Sequence, residues 1–105
     1  MAKIPADYLP PKELWPEYTS PPEFPVPDQI NLAEFLLDRH VKEGRGDNVA
    51  ILFGDQKITF KELMAMANKF ANILKSLGVE AQDRVGIRMT NTPEAVAINF
   101  GIQKM

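Results

Sequence analysis

GDQKITFKELMAMANKFANILKSLGVEAQDRV, Gly54 to Val85, changes its period once, and that change decides the fold. Val49 to Phe53 is a short apolar run, and Lys57 to Phe60 is a second piece rich in β-formers. Gly54-Asp55-Gln56 joins them, which predicts a hairpin. Thr59-Phe-Lys-Glu62 then has the spacing of a capping box, with a hydroxyl at the N-cap and a carboxylate three residues on. It launches a helix to about Leu77. Leu63, Met64, Ala67, Phe70, Ala71, Leu74 and Leu77 recur at helical spacing and mark the core face, while Lys61, Lys69 and Lys75 lie outside it. Methionines in such a stripe serve as core filler rather than as a binding groove. Gly78 follows where a helix-ending glycine is expected.

Beyond the helix, Val79 to Asp83 is a polar link. Arg84-Val-Gly-Ile-Arg-Met89 alternates and predicts a third, short strand. Thr92 as N-cap, Pro93 at the first helical position and Glu94 in the first turn then start another helix. Its body, Ala95, Val96, Ala97, Ile98, Phe100 and Ile102, is broken only by Asn99 and Gly101. A helix apolar nearly all round is normally buried on more than one side. Leaving a residue such as Val96 or Phe100 in water forgoes about 1.5–3 kcal/mol, against a total stability of roughly 5–15 kcal/mol for a domain. The helix therefore expects further structure, either more chain or a second subunit, and the sequence reads as part of a larger protein.

On the other side of the hairpin, Asn31-Leu-Ala-Glu34 predicts a capped helix with an apolar stripe of Leu32, Phe35 and Leu36, ended by Gly44 and Gly46. His40 falls in its last turn, where a cationic ring suits the helix dipole. A catalytic role for it finds no Ser, Cys or second His nearby in sequence. Arg45-Gly46-Asp47 spells an adhesion tripeptide, but a turn between helix and strand accounts for the same residues.

Residues 1–30 differ in kind. Eight of the nine prolines lie in the first 27 residues, so this segment cannot join a sheet interior or a long helix. It is expected to run extended. Tyr8, Leu9, Leu14, Trp15, Tyr18, Phe24 and Val26 make it too apolar for a solvated linker, so it reads as an arm lying across a folded body and anchored through its aromatics. Pro22-Glu-Phe-Pro25 matches the P-x-x-P pattern of groove-binding ligands, without a flanking basic residue.

Composition bounds the functions. With 105 residues, 45% apolar, the chain is one small domain at most. A net charge of −2 gives no basic footprint for nucleic acid or an anionic membrane. The absence of Cys removes disulfides, thiolate metal sites and a Cys nucleophile, and the single His removes a multi-His site. No apolar run has signal-peptide or membrane-spanning character, so the expectation is a cytoplasmic protein. Neither a G-x-G-x-x-G nor a G-x-x-x-x-G-K-[ST] loop occurs, nor a G-x-S-x-G elbow. Thr90 to Glu94 has the best geometric claim to a site, since open α/β sheets bind ligands where a strand's carboxyl end meets a helix start. The simpler reading of Asn91 to Glu94 is a helix cap.

Taken in order, these marks resemble a known superfamily. Gly54 to Val85 resembles the hairpin, "T-[FY]-x-E-L" helix and "L-G-V-x-x-G-D-R-V" run of the adenylate-forming acyl-CoA or aryl-CoA ligases, with Gln82 where Gly is usual. VGIRMTNTPEAVAINFGIQKM resembles the strand, Asn-x-Pro-Glu helix start and apolar helix that follow. LPPKELWPEY with NLAEFLLDRHVKEGRGDNVAI is similar to the opening of benzoate- and 2-aminobenzoate-CoA ligases. The resemblance implies an α/β fold: a β-hairpin and βα units beginning the large adenylate-forming domain over residues 31–105, preceded by an extended Pro-rich arm over 1–30, the domain being incomplete.

It also implies a two-step reaction. A carboxylate, here of an aromatic acid, attacks the α-phosphate of ATP to give an acyl-adenylate and pyrophosphate, and CoA thiolate then displaces AMP. ATP, Mg²⁺ and CoA belong to the intact enzyme. The family's Ser/Thr/Gly-rich loop, aromatic-x-x-Thr-Glu motif, hinge acid and late lysine match no residue here, so no catalytic, cofactor-binding or metal-binding residue is assigned and the chain alone is expected to be inert. Its role would be structural, with the remainder of the ligase as its partner. The alternative is a complete, non-enzymatic interaction module that pairs through its apolar last helix.

Overall fold

The computed structural model describes residues 5–17 and 27–105. Its body is a helical segment, a two-stranded hairpin and two longer helices. The first helical segment opens at Asn31, whose Oδ1 accepts from the Glu34 amide at 3.2 Å. The cap expected there is present, but it is not reciprocal. The Glu34 carboxylate turns to Lys42 Nζ at 2.7 Å instead. A π-helical turn, Glu34–Asp38, runs into α1, Arg39–Lys42. Widening the helix changes which residues face inward. Ala33 and Leu37 are fully buried, whereas the expected stripe of Leu32, Phe35 and Leu36 lies on the exposed side. Arg39 covers part of that side, its guanidinium 4.2 Å from the centre of the Phe35 ring.

β1, Val49–Phe53, and β2, Gln56–Thr59, form an antiparallel pair in which Phe53 faces Gln56. The loop is therefore the two residues Gly54 and Asp55, with Gly54 at φ 57°, as tight hairpins require. The register shifts between Val49 and Ile51. That irregularity breaks strict alternation, so neighbouring Ala50 and Ile51 are both half-buried while Leu52 is 72% exposed.

α2, Phe60–Ser76, starts directly from β2 through the full capping box. The Glu62 amide donates to Thr59 Oγ1 at 3.2 Å, and the Thr59 amide donates to Glu62 Oε2 at 2.8 Å. Its end is a Schellman motif. Gly78 sits at φ 81°, its amide reaches the Lys75 carbonyl, and the Val79 amide reaches the Leu74 carbonyl. Leu63 and Ala67 are buried, and Met64, Phe70, Ala71 and Leu74 half-buried, along the face the sequence marks. Leu77 lies past the last partner and stays exposed.

α3, Pro93–Gln103, packs lengthwise on α2. Its buried residues are Pro93, Ala97 and Gly101, one every four residues. Small side chains in that row let the two backbones approach closely. A β-carbon added at Gly101 would lie 2.9 Å from the Ala67 carbonyl oxygen and 3.2 Å from the Ala71 nitrogen. Gly101, which reads in sequence as a break in an apolar helix, is thus where α3 meets its partner most tightly. The core centres on Leu37, Leu63, Ala67 and Ala97, with Ile51, Ile58, Met64, Phe70 and Phe100 packed around it.

Two expectations require correction. Arg84 to Met89 forms no strand. The sheet among the described residues has only β1 and β2, and a strand exists only where a neighbour pairs with its backbone. The architecture is therefore a hairpin with helices, a partial α/β arrangement whose second βα unit lacks its strand. The arm is also not uniformly extended. Single 3₁₀ turns, Ala6–Tyr8 and Lys12–Leu14, follow Pro5 and Pro11. Trp15 Nε1 donates to the nearby Pro10 carbonyl at 2.8 Å. Its polar group is satisfied locally, and Tyr8, Leu14 and Trp15 remain exposed rather than anchored on the body. Tyr18, Phe24, Val26 and the Pro22–Pro25 motif lie outside the described residues.

Candidate functional site

The loop Thr90 to Glu94 sits where the segment 84–89, which has no regular secondary structure, leads into α3. Its polar atoms serve the helix. Thr92 Oγ1 accepts from the Ala95 amide at 3.4 Å, and Pro93, at the first helical position, is buried. Between this helix start and β1 runs a groove of about 340 Å³, walled by Ile51 and Phe53 on one side and by Pro93, Val96 and Asn99 on the other. No Asp, Glu, Lys or Arg lines it. A groove with apolar walls and a few amide and hydroxyl groups can seat uncharged, largely apolar surface. It lacks the cations that would neutralise a triphosphate.

Some of the charged residues elsewhere are engaged with one another. Lys42 donates to Glu34, and this hydrogen bond, reinforced by charge attraction, holds the Glu34 carboxyl below its ordinary range and the Lys42 ammonium above its own. The Glu62 carboxyl is also held low, first by the Thr59 amide and then by the Thr59 hydroxyl. Asp38 takes both of its hydrogen bonds from Lys104 Nζ, at 2.6 and 2.7 Å, with the two side chains only 21% and 14% exposed. Nearby, Asn31 Nδ2 donates to the Gln103 carbonyl at 3.0 Å. Together these contacts fasten the end of α3 to the first helical segment. No local sequence signal announces an ion pair 66 residues apart, and neither partner stands in a recognisable motif.

His40 stacks on Phe60 with ring centres 4.4 Å apart, and its Nδ1 accepts from Arg45 Nε at 3.1 Å. Arg45 also pairs with Glu43. These neighbours hold the imidazole in place as a packing and hydrogen-bonding group, with no nucleophile among them. The same contacts tie down Arg45 of the Arg45-Gly46-Asp47 tripeptide, and Gly46 is buried. Among the described residues no group of three or more His, Cys, Asp or Glu is arranged to hold a metal ion. No helix there is long and apolar enough to cross a membrane. The groove at the start of α3 offers no charged side chain to a nucleotide phosphate.

Comparison with known proteins gives this scaffold its context. Residues 37–105 match the family model described as AMP-binding enzyme. Over 73 residues the chain is 49% identical to an acetyl-coenzyme A synthetase of Magnetococcus marinus, covering 64% of this chain and 11% of that protein. It is 43% identical over 77 residues to the acetyl-coenzyme A synthetase of Mycobacterium bovis, covering 68% and 12%. With the acetyl-coenzyme A synthetase of Streptomyces avermitilis the identity is 45% over 73 residues, covering 65% and 11%. No solved structure matches the chain. The chain therefore spans about a tenth of the length of the curated relatives it matches. These relatives carry the name acetyl-coenzyme A synthetase, and the closer likeness to benzoate-CoA ligases expected from the arm is not found among them. With two thirds of its length inside the family model, the chain belongs to the AMP-binding enzyme family.

Proposed function

We propose that this chain is the structural N-terminal portion of an ATP-dependent carboxylate–CoA ligase. The observation that carries the reading is the 49% identity over 73 residues to an acetyl-coenzyme A synthetase. The whole ligase joins a carboxylate to the α-phosphate of ATP, releasing pyrophosphate, and then transfers the acyl group to the CoA thiol with release of AMP. ATP, Mg²⁺ and CoA are reactants and cofactors of that larger protein. The part supplied here is a scaffold: a capped helix pair, α2 on α3, locked at Gly101 and fastened to the first helical segment by Asp38 and Lys104. The names of the relatives favour a small aliphatic acid. An aromatic acid is the second reading, favoured by LPPKELWPEY in the arm.

A chimera tests the scaffold role. Residues 37–105 replace the matching segment of the Magnetococcus marinus enzyme, and acetyl-CoA formation is followed. Acetate-dependent activity within about tenfold of the parent is expected, because the segment supplies packing rather than reacting groups. A soluble, folded chimera without activity would overturn the reading. Pyrophosphate exchange with acetate and with benzoate, on a ligase carrying this whole chain, separates the two substrate readings.

A further inference from the structure

We propose that His40 and Arg45 form a pH-sensitive latch on the turn between the first helical segment and β1, closed while the imidazole is neutral and open once it is protonated. Arg45 Nε lies 3.1 Å from His40 Nδ1. A guanidinium keeps its protons and accepts no hydrogen bond, so Nε donates and Nδ1 must carry a free lone pair. The contact exists only with the uncharged ring, protonated at Nε2. A proton added at Nδ1 sets N–H against N–H and one cation against another, and Arg45 has to leave. Phe60, stacked with ring centres 4.4 Å apart, suits an imidazole or an imidazolium, so the ring itself stays. Arg45 has somewhere to go, because its side chain already pairs with Glu43 and is 44% exposed. On the elements packed together here, Glu34 bonds Lys42, Asp38 bonds Lys104 and Glu62 bonds the Thr59 amide. That leaves Glu43, 3.9 Å from Arg39 Nε, and exposed Asp47 as the carboxylates beside the turn, with Arg39, Arg45 and Lys61 as its cations. The latch bears on the start of α2. The first amides of a helix have no partner within it. Those of Phe60 and Lys61 donate to the carbonyls of Asn48 and Gly46, at 3.0 and 2.9 Å, and the Asn48 amide donates to the Arg45 carbonyl at 3.1 Å. Releasing the Arg45 side chain removes one of the ties that hold this turn to α1, so protonation of His40 is felt at the first turn of α2.

The test is nitrogen-15 NMR of the full chain between about pH 8 and pH 5.5, where histidine titrates and ordinary carboxylates stay ionised. At the upper end the His40 ring should carry its proton on Nε2, and the Arg45 Nε–H should exchange slowly with water. On acidification the Arg45 Nε–H signal should move with the same midpoint as the His40 ring. Exchange of the Phe60 and Lys61 amides, corrected for its intrinsic dependence on pH, should rise about 3- to 10-fold, the worth of one hydrogen bond. Arg45→Met keeps the His40 titration but should leave the corrected exchange of Phe60 and Lys61 the same at both ends, at the faster rate. His40→Phe keeps the stack on Phe60 without an acceptor and should behave likewise; if it fails to fold, Arg45→Met and the unaltered chain decide. A proton on Nδ1 at the upper pH, an Arg45 signal that ignores the His40 titration, or corrected exchange that does not change with pH would each overturn the latch.

Discussion

At Gly101 an added methyl group would press on backbone, not on a side chain that could swing away: its carbon would sit 2.9 Å from the Ala67 carbonyl oxygen. Overpacking of this kind costs about 1–3 kcal/mol, and alanine's better helix propensity returns up to about 1 kcal/mol. Gly101→Ala is therefore expected to lower stability by about 1–2 kcal/mol, read as a lower urea midpoint with an unchanged slope. Gln82 offers the opposite case. The turn Glu80 to Asp83 is closed by the Asp83 amide on the Glu80 carbonyl at 3.1 Å, and Asp83 Oδ2 accepts from the Glu80 amide at 2.9 Å. Gln82 stands third in this turn at φ 79°, a left-handed position that favours glycine. A side chain there costs about 1–2 kcal/mol, and glycine's extra freedom in the unfolded chain takes back about 0.4–1 kcal/mol. Gln82→Gly should raise the melting temperature, by a few degrees at this chain length, whereas Gln82→Ala should not.

At the scale of elements, the parts legible in the sequence are those whose determinants are local. α2 carries its start in Thr59 and Glu62, its face in the Leu63–Leu74 spacing and its end in Gly78, all within twenty residues, and each appears in the structure. The first helical segment is legible as a helix but not in its facing, because the π-helical turn that buries Ala33 and Leu37 depends on packing against α2. Arg84 to Met89 has strand alternation without a strand, since pairing is a property of a neighbour and not of the segment. The capping box also has a pH signature. The Glu62 carboxyl is held below its unfolded value, near 4.5, by accepting the Thr59 amide. A lowered carboxylate stabilises the folded state above the unfolded pKa, and that contribution is lost as pH falls through the folded value. Melting temperature should accordingly fall between about pH 5 and pH 3, and Glu62→Gln should flatten part of that slope. Glu34 contributes with the same sign through Lys42, so the slope in Glu62→Gln should be reduced and not abolished.

For the whole molecule, what the sequence conveys is membership: hairpin, capped helix, Asn-x-Pro-Glu start and apolar helix, in an order that the AMP-binding family model also covers. It does not convey how the ends are fastened, because Asp38 with Lys104 and Asn31 with Gln103 are brought together only by the fold. Nor does it convey a reaction site. Adenylate formation needs cations and dipoles converging on a triphosphate. Among the described residues the groove at the start of α3 has no charged lining. Binding measured on this chain alone should reflect that. A ligand held only by the folded state at 100 times its dissociation constant adds about 2.7 kcal/mol, which for a chain of this size moves the melting temperature by about 10 °C or more. ATP with Mg²⁺, CoA, acetate and benzoate, each titrated to millimolar concentration, should leave the transition where it is. A saturable rise with any one of them would mean that the isolated segment holds part of the ligase's binding machinery, and the scaffold role assigned to α2 and α3 would have to give way to a direct one.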